Sequence, residues 1–207
     1  MNVLPEEFFK RVDERPDSLY YRRPVETNLL SEQAMRQLRA TMPTLLGAPH
    51  RVLDLMAGVR SHIGTVDAHV TGLGMNLDEL QRNPHVDTPV VHDLNRTKTL
   101  PFEDRSFDAA LCTVAVQYMT QPVQTFREVG RVLKPGSPFV VAFNARMFED
   151  KAILAWRASD EDAHCRLVTT YFEESGAFAD LEVKRMLSED GDTVVIIRGV
   201  AEQPTAA

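Results

Sequence analysis

Short apolar segments alternate with helical ones along most of this chain, and that alternation limits the possible folds more than any other feature. Strands are predicted over residues 51–55, 69–73 and 89–92, within 107–116, and over 139–143. A short helix is predicted to end near residue 82, and further helices are predicted over residues 122–133, 151–157 and 163–174. Alternating strands and helices form βα units whose strands lie parallel in one sheet. Two last apolar segments, 181–187 and 193–200, flank an Asp190-Gly191 turn, which is typical of an antiparallel hairpin. The pattern therefore predicts a single α/β structure.

The first forty-five residues stand outside this alternation. They contain a predicted short amphipathic helix over residues 4–12 and a second helix that begins at Ser31, a good N-cap, and runs toward Pro43. We expect residues 1–45 to form a helical arm or lid, residues 46–200 the α/β core and residues 201–207 a flexible tail. A chain of 207 residues suffices for one substantial core, so a single domain is predicted.

The charge of the chain argues against a polyanionic partner. Its formal net charge is −7 and its pI is near 5.4, whereas affinity for nucleic acid comes mostly from Lys and Arg side chains that neutralise phosphates. Cys112 and Cys165 form no Cys-x-x-Cys motif and the histidines lack metal-ligand spacing, so no disulfide and no metal site is predicted. No leader or membrane-spanning segment is evident. We expect a cytoplasmic monomer or homodimer that binds a small molecule and neither nucleic acid nor a membrane.

The segment VLDLMAGVRSH, residues 52–62, places an acidic side chain within the first strand and then makes a turn. Gly58 is the one glycine of this segment. Glycines let the backbone N–H groups of such a turn approach a ligand closely, so their scarcity restricts the ligands that the turn can hold. No Gly-x-Gly-x-x-Gly opens a helix here, which disfavours a nicotinamide-dependent oxidoreductase.

Four segments together resemble one known family. They are VLDL in the first strand, LPFEDRSFDAALC leading into the fourth, FREVGRVLKPGSPFVVAF across the next helix and the fifth strand, and the terminal hairpin. Over residues 51–200 the chain resembles class I S-adenosylmethionine-dependent methyltransferases of the kind called methyltransferase type 11, and within them an uncharacterised subfamily with a degenerate glycine motif. The resemblance implies a Rossmann-like doubly wound sheet, mostly parallel, and methyl transfer from S-adenosylmethionine to a small molecule.

The resemblance also implies which residues hold the methionine end of the cofactor. Asp54 occupies the acidic place at the end of the first strand. Met56, Gly58 and Arg60 occupy the three glycine places of the turn that follows, with Ala57 between the first two. Two of the three usual glycines are therefore replaced.

A second difference concerns the ribose. The resemblance implies an acid at the end of the second strand that grips both ribose hydroxyls, and Gly74 stands at that place. Two charge-assisted hydrogen bonds, each worth roughly 1.5–3 kcal/mol, would be lost with it. Asn76 either offers its amide to the ribose or acts as the N-cap of the next helix.

The adenine end is closer to the family pattern. Asp93, after the third strand, matches the place that contacts the adenine amino group, and Leu94 follows it. The alternative is that Asp93 only forms a turn. Thr113 and Val114, at the end of the fourth strand, are expected to touch the cofactor through their backbone.

The connection between the first two strands is short. Only 14 residues separate Asp54 from His69, so the first helix of the usual fold is predicted to be shortened or lost. Without it, a helix N-terminus no longer helps to hold an anionic group. Either Arg60, Ser61 and His62 take over part of that work, or they are ordinary solvated loop residues.

Open α/β sheets bind ligands at the carboxyl ends of their strands. We therefore expect the substrate to be walled by residues of the arm and of the loops after the fourth and fifth strands: Tyr20, Tyr21, Arg23, Gln117, Asn144 and Arg146. Tyr118 is the candidate catalytic residue, which would position a nucleophile or accept its proton; the alternative is that it only packs. Because the glycine motif is degenerate, a non-catalytic binding or interaction protein with weakened cofactor binding is the alternative function.

Overall fold

The structure, a computed structural model, describes residues 4–24 and 27–202. Within these ranges seven strands form one sheet in the order β3-β2-β1-β4-β5-β7-β6. The strands are β1 (Arg51–Leu55), β2 (His69–Gly74), β3 (Thr88–Val91), β4 (Ala109–Thr113), β5 (Pro138–Phe143), β6 (Phe178–Leu187) and β7 (Thr193–Ala201). The α-helices are α1 (Asp17–Tyr20), α2 (Glu32–Leu46), α3 (Leu77–Arg82), α4 (Pro122–Val132), α5 (Leu154–Arg157) and α6 (Glu161–Ser175).

The sheet is doubly wound. β1 pairs in parallel with both β2 and β4, and β3 and β5 extend the parallel sheet on either side. β7 runs antiparallel to β5 and to β6, with Gly191 in the turn between them at a φ of 85°. The predicted mostly parallel sheet with an antiparallel C-terminal hairpin is confirmed. Strand order reverses between β1 and β4, where open α/β sheets bind ligands.

Helix α2 covers one face of the sheet because its apolar residues recur every fourth position. Ala34, Leu38, Met42 and Leu46 are buried on one side of α2 and pack against a cluster that includes Val52 of β1. A helix has 3.6 residues per turn, so this spacing forms a single stripe. Although α2 falls mostly within the predicted arm, it packs as part of the core.

Aromatic rings dominate the opposite face, beneath α4 and α6. Phe126 of α4 lies 5.0 Å from Phe139 of β5 and 4.8 Å from Phe172 of α6, measured between ring centroids, in edge-on arrangements. Such contacts add about 0.5–1.5 kcal/mol each beyond the area that they bury. Both faces of the central strands are thus covered, which explains why their sequences are continuous apolar runs.

The first part of the arm is less regular than predicted. In place of a helix over residues 4–12, the chain forms a single 3-10 turn, Glu6–Phe9, with no buried residue. Without a buried apolar stripe, a longer helix has no packing to stabilise it. At the other end of the chain, β7 includes Ala201, and residues 203–207 of the predicted tail lie outside the described residues.

The connection between β1 and β2, residues 56–68, contains no helix, so the first helix of the usual fold is lost. The backbone N–H of Ala57 donates to the carbonyl of Leu73 at 2.9 Å, which holds the start of this loop against the end of β2. Ile63 fills the space beside α2 and is 1% exposed. None of the helices in the described part of the chain is long and apolar enough to cross a bilayer.

Candidate functional site

A cleft opens at the carboxyl ends of the parallel strands, between the arm and the loops after β1, β2, β3 and β4. The empty space of this cleft, counted out into the solvent at its open mouth, is about 1070 Å³. The described lining residues from the strand ends and their loops are Met56, Ala57, Gly58, Val59, Arg60, His62, Leu73, Gly74, Met75, Glu79, His92, Asp93, Leu94, Asn95, Thr113, Val114, Ala115 and Tyr118. Asp17, Tyr21, Thr27, Asn28 and Leu29 close it from the arm, and Phe148 from the segment after β5.

Two lining residues at the switch point hold left-handed backbone conformations. Met56, directly after β1, has a φ of 55°, and Val114, directly after β4, has a φ of 52°. The N–H of Val114 donates to the carbonyl of Ala142 at 2.7 Å. For residues with a β-carbon this conformation costs about 1–2 kcal/mol. Met56 thus adopts a backbone conformation that a glycine would reach at little cost.

Gly74 allows the loop after β1 to cross the end of β2. A β-carbon added at Gly74 would lie 2.3 Å from the carbonyl oxygen of Ala57. No side chain fits at this distance, and the obstacle is backbone that cannot rotate away. The place where the resemblance implies a ribose-binding acid therefore cannot carry one in this fold.

Asp54 points below the cleft instead of into it. Its side chain is buried and accepts a hydrogen bond from the Ser61 hydroxyl at 2.5 Å. Asn83 in turn donates from its amide to Ser61 at 2.9 Å and to the carbonyl of Gly58 at 2.8 Å. Burial raises the pKa of Asp54 to about 7, whereas the hydrogen bond from Ser61 lowers this pKa and offsets part of the effect. The acid of the motif thus fastens the loop that forms the cleft floor.

One end of the cleft is basic. Arg60 donates to the side-chain oxygen of Asn28 at 2.5 Å, which joins the loop after β1 to the arm. His62 beside it is buried, and its pKa is lowered to about 4, first by burial and then by the charges of Arg39 and Arg60. At neutral pH His62 is therefore uncharged and Arg60 carries the positive charge at this end.

A network of charges fixes the arm over the cleft. Asp17 is 5% exposed and accepts hydrogen bonds from Arg11 at 2.7 and 2.9 Å and from the side-chain amide of Asn95 at 2.8 Å. The ammonium of Lys151, which is fully buried, lies 3.0 Å from the same carboxylate. These contacts hold the pKa of Asp17 below its usual range although burial acts in the opposite direction. Asp17 is thus an ionised, fully paired anchor.

Tyr118 stands between the cleft and the segment after β5. Its hydroxyl accepts a hydrogen bond from the backbone N–H of Phe148 at 2.9 Å, and the two rings stack with centroids 5.9 Å apart. The side chain is 5% exposed, and burial raises its pKa well above the usual range. The hydroxyl therefore keeps its proton at neutral pH.

Comparison with known proteins identifies relatives of part of this chain. The profile of a family described as "Methyltransferase domain" matches residues 47–141. "Sterol methyltransferase-like 1" of Botryococcus braunii is 32% identical over 132 residues, which cover 58% of this chain and 33% of that protein. "Demethylmenaquinone methyltransferase" of Renibacterium salmoninarum is 31% identical over 63% of this chain and 60% of its own length. Residues 47–141 thus match a methyltransferase domain.

Solved structures agree on the fold. An S-adenosylmethionine-dependent methyltransferase from Mesorhizobium loti superimposes with a TM-score of 0.54 at 21% identity, over 80% of this chain and 96% of that one. Phosphoethanolamine N-methyltransferase 2 of Haemonchus contortus, in complex with S-adenosyl-L-methionine, gives 0.60 at 16% identity over 98% and 61%. This chain spans about a third of the length of the sterol methyltransferase-like relative.

The cleft gathers most of the predicted cofactor-binding residues. Those that line it are Met56, Ala57, Gly58, Gly74, Asp93, Leu94, Thr113 and Val114, whereas Asp54 and Asn76 do not. Asn76 caps α3, accepting from the N–H groups of Asp78 and Glu79, and its amide donates to the carbonyl of Tyr21 at 3.0 Å. Asn76 therefore acts as a helix cap that also holds the arm.

Among the predicted catalytic and substrate residues, only Tyr21 and Tyr118 line the cleft. Asn144 is buried and donates to the carbonyl of Leu29 at 2.6 Å, while Arg146 faces Asp192 of the hairpin at 3.7 Å. Gln117 is buried and donates to backbone carbonyls at 3.2 and 3.3 Å. The ring of Tyr20 lies 5.2 Å from the Lys151 ammonium, and Arg23 is exposed. The loop after β5 is thus tied to the hairpin and leaves the cleft wall to Phe148.

Sequence reasoning missed many cleft residues, among them Glu79, His92 and Met75. Glu79 lies in the first turn of α3, which Asn76 caps. No group of three His, Cys, Asp or Glu side chains within the described ranges is arranged to hold a metal ion.

Proposed function

We propose that this chain is an S-adenosylmethionine-dependent methyltransferase that acts on a small, uncharged acceptor. The proposal is carried by one observation. A single cleft at the switch point joins the turn after β1, the end of β2, Asp93 after β3 and the aromatic pair of Tyr118 and Phe148. A ligand with an amino-acid end, a sugar and a base needs such an extended cleft with different chemistry along it.

The cleft suits this cofactor because it has buried polar atoms without a hydrogen-bond partner near both of its ends. The Nδ1 atom of His62 and the Nε2 atom of His92 are buried and have no hydrogen-bond partner among the described residues, and both side chains line the cleft. Buried polar atoms are normally hydrogen-bonded, so unpaired ones at a cleft favour a ligand. Arg60 would pair with the methionine carboxylate, and Asp93 would receive the adenine amino group.

When bound, S-adenosylmethionine supplies a methyl group on a positively charged sulfur. The chain supplies orientation and a dry environment, which suffice for much of the rate of methyl transfer to an electron-rich atom. Tyr21 and Tyr118 close the cleft from two sides, with Leu29 and Phe148 beside them. These side chains would exclude water from the acceptor.

The side chains that close the cleft also favour an uncharged acceptor over a charged one. Of the cleft residues near Tyr118, the ionised one is Asp17, and its charge is balanced by Arg11 and Lys151. An anionic or cationic acceptor would lose its hydration there without gaining a partner. The acceptor is therefore neutral and largely apolar. Two relatives whose names refer to a sterol and to demethylmenaquinone agree with this class.

Tyr118 positions the acceptor. Because its hydroxyl accepts from Phe148 and retains its own proton, it is a hydrogen-bond donor to an acceptor oxygen or nitrogen and not a general base at neutral pH. This role differs from proton acceptance, which the sequence left open.

A transfer assay tests the proposal. The protein is incubated with S-adenosylmethionine carrying a labelled methyl group and with pairs of acceptors, each a neutral phenol or quinol and its carboxylated counterpart. We expect label in the neutral compounds and at least about tenfold less in the charged ones. Cofactor binding without transfer to any acceptor would instead support the non-catalytic binding protein.

A further inference from the structure

Strand β6 forms one edge of the sheet and leaves a long stretch of backbone open to another strand. It spans ten residues, Phe178–Leu187, and among the described strands it pairs only with β7. An open edge of this length offers N–H and C=O groups for pairing with a further chain. We propose that a second copy of this chain pairs with β6 along this edge, antiparallel and with Val183 of each copy on the twofold axis.

The opposite edge of the sheet is protected against such pairing. Strand β3 has only four residues, and one of them is Pro89, which has no N–H to donate. Strand β6 contains neither proline nor glycine. Of the two edges, β6 is therefore the one that can accept another strand.

A bulge limits where β6 can pair. Its register with β7 shifts between Ala179 and Glu182, and Asp180 within the bulge has a φ of 50°. From Glu182 to Leu187 the pairing with β7 is regular. Because a bulge bends a strand and increases its twist, a second strand fits best against the regular segment. We therefore expect the centre of the pairing to lie within residues 182–187.

The symmetry of a dimer restricts the register within this segment. When a sheet continues through a twofold axis, directly opposed side chains lie on the same face, so the axis passes through a residue and not between two. An axis at Glu182, Lys184 or Arg185 would place that charged side chain against its own copy, which is unfavourable. An axis at Met186 or Leu187 would match no opposite charges within the strand.

An axis at Val183 makes the edge complementary to itself. It places Glu182 of each copy opposite Lys184 of the other, so two ion pairs form on one face of the sheet. Both side chains are exposed and form no ion pair within the described part of the chain, whereas Arg185 already pairs with Asp162 of α6 at 2.6 Å. On the other face, Val183 is 46% exposed in the single chain and meets its own copy. Charge and apolar contact thus favour the same register.

Sedimentation velocity of the full chain tests this pairing. Because only a few residues pair, we expect a dimer with a Kd on the order of 100 μM. Lys184→Glu and Glu182→Lys each place like charges opposite one another twice, and each should weaken the dimer about tenfold or more. Lys98→Glu changes the net charge equally at an exposed site outside the sheet and should leave the Kd unchanged. Circular dichroism checks that each variant is folded.

An equimolar mixture of Lys184→Glu and Glu182→Lys is the decisive sample. In a mixed dimer, every charged pair across the axis again joins opposite signs, so the mixture should dimerise about as tightly as the wild type. A mixture that stays monomeric would overturn the proposal, as would a wild type that is monomeric at about 1 mM. A dimer that Lys184→Glu leaves intact, or that Lys98→Glu weakens equally, would also show that Glu182 and Lys184 do not pair across the axis.

Discussion

The buried ammonium of Lys151 lies 3.0 Å from a carboxylate oxygen of Asp17, so the segment after β5 is fastened directly to the arm. The same ammonium donates to the carbonyl oxygens of Asp13 and Arg15 at 3.1 and 2.7 Å. Every group of this ion pair therefore has partners, as a buried charge requires. The arm is a fixed wall of the cleft because of this contact.

Replacement of Lys151 by Met should therefore destabilise the protein strongly. The substitution leaves two backbone carbonyls unpaired and removes one of the cations that balance Asp17, and the loss of one partner of a buried pair costs about 3–5 kcal/mol. Lys134→Met is the matched control, because Lys134 pairs with Asp108 at the surface and such pairs are worth at most about 1 kcal/mol. Urea unfolding measures both. Equal losses for the two variants would contradict the role of Lys151.

Gly74 and Gly58 should differ in their tolerance of alanine. Gly74→Ala forces a methyl group against the Ala57 carbonyl, and overpacking of this kind costs about 1–3 kcal/mol. Gly58→Ala meets its nearest atom at 3.5 Å and should change the free energy of unfolding by less than about 1 kcal/mol. If thermal unfolding shows Gly74→Ala to be as stable as the wild type, the loop after β1 does not cross the end of β2 as described.

Asp54 should make the ligand-free protein less stable as the pH rises. Its folded pKa is about 7, raised by burial from the model-compound value of 3.8. Between these values the folded state holds a proton that the unfolded state has released, so the free energy of unfolding falls as pH rises through this range, by up to about 4 kcal/mol. Above about pH 7 this dependence ends.

The variant Asp54→Asn removes that titration while keeping a side chain of similar size that can accept from Ser61. Denaturant unfolding between pH 4 and pH 8 should show a flatter profile for Asp54→Asn than for the wild type, with the two curves diverging toward high pH. Asp67→Asn, at an exposed position of the same loop, serves as the control and should follow the wild type. Parallel profiles for Asp54→Asn and the wild type would contradict a buried Asp54.

Tyr118→Phe should slow methyl transfer without weakening cofactor binding. The hydroxyl is the donor assigned to the acceptor, and the loss of one such contact reduces kcat/KM by about 10- to 100-fold. Tyr20→Phe should leave the rate unchanged, because Tyr20 lies outside the cleft lining. Steady-state kinetics with titration of S-adenosylhomocysteine measures both effects. A normal rate for Tyr118→Phe would exclude this role.

Local patterns determined much of what could be predicted. Ser31 caps α2 by accepting from the N–H of Ala34, and Asn76 caps α3, both as expected from their neighbours in sequence. The bounds of β1 are those predicted, because an apolar run between polar residues is unambiguous. The parallel direction of the first five strands followed from the βα alternation, and the antiparallel hairpin followed from the Asp-Gly turn.

Contacts between distant segments determined what could not be predicted. Asn144 turns away from the cleft because it donates to Leu29 and to Asp192, which lie far from it along the chain. Asp54 points inward because Ser61 and Asn83 meet beneath it. No sequence pattern near Asn144 or Asp54 predicts these hydrogen-bond partners.

The most direct test of the account is to measure the binding of S-adenosylhomocysteine to the wild-type protein by isothermal titration. NAD is the comparison ligand. A cleft with Arg60 at one end and Asp93 at the other side should bind one S-adenosylhomocysteine per chain at submillimolar concentration and NAD much more weakly. No heat of binding with S-adenosylhomocysteine at that concentration, or equal binding of NAD, would contradict the account.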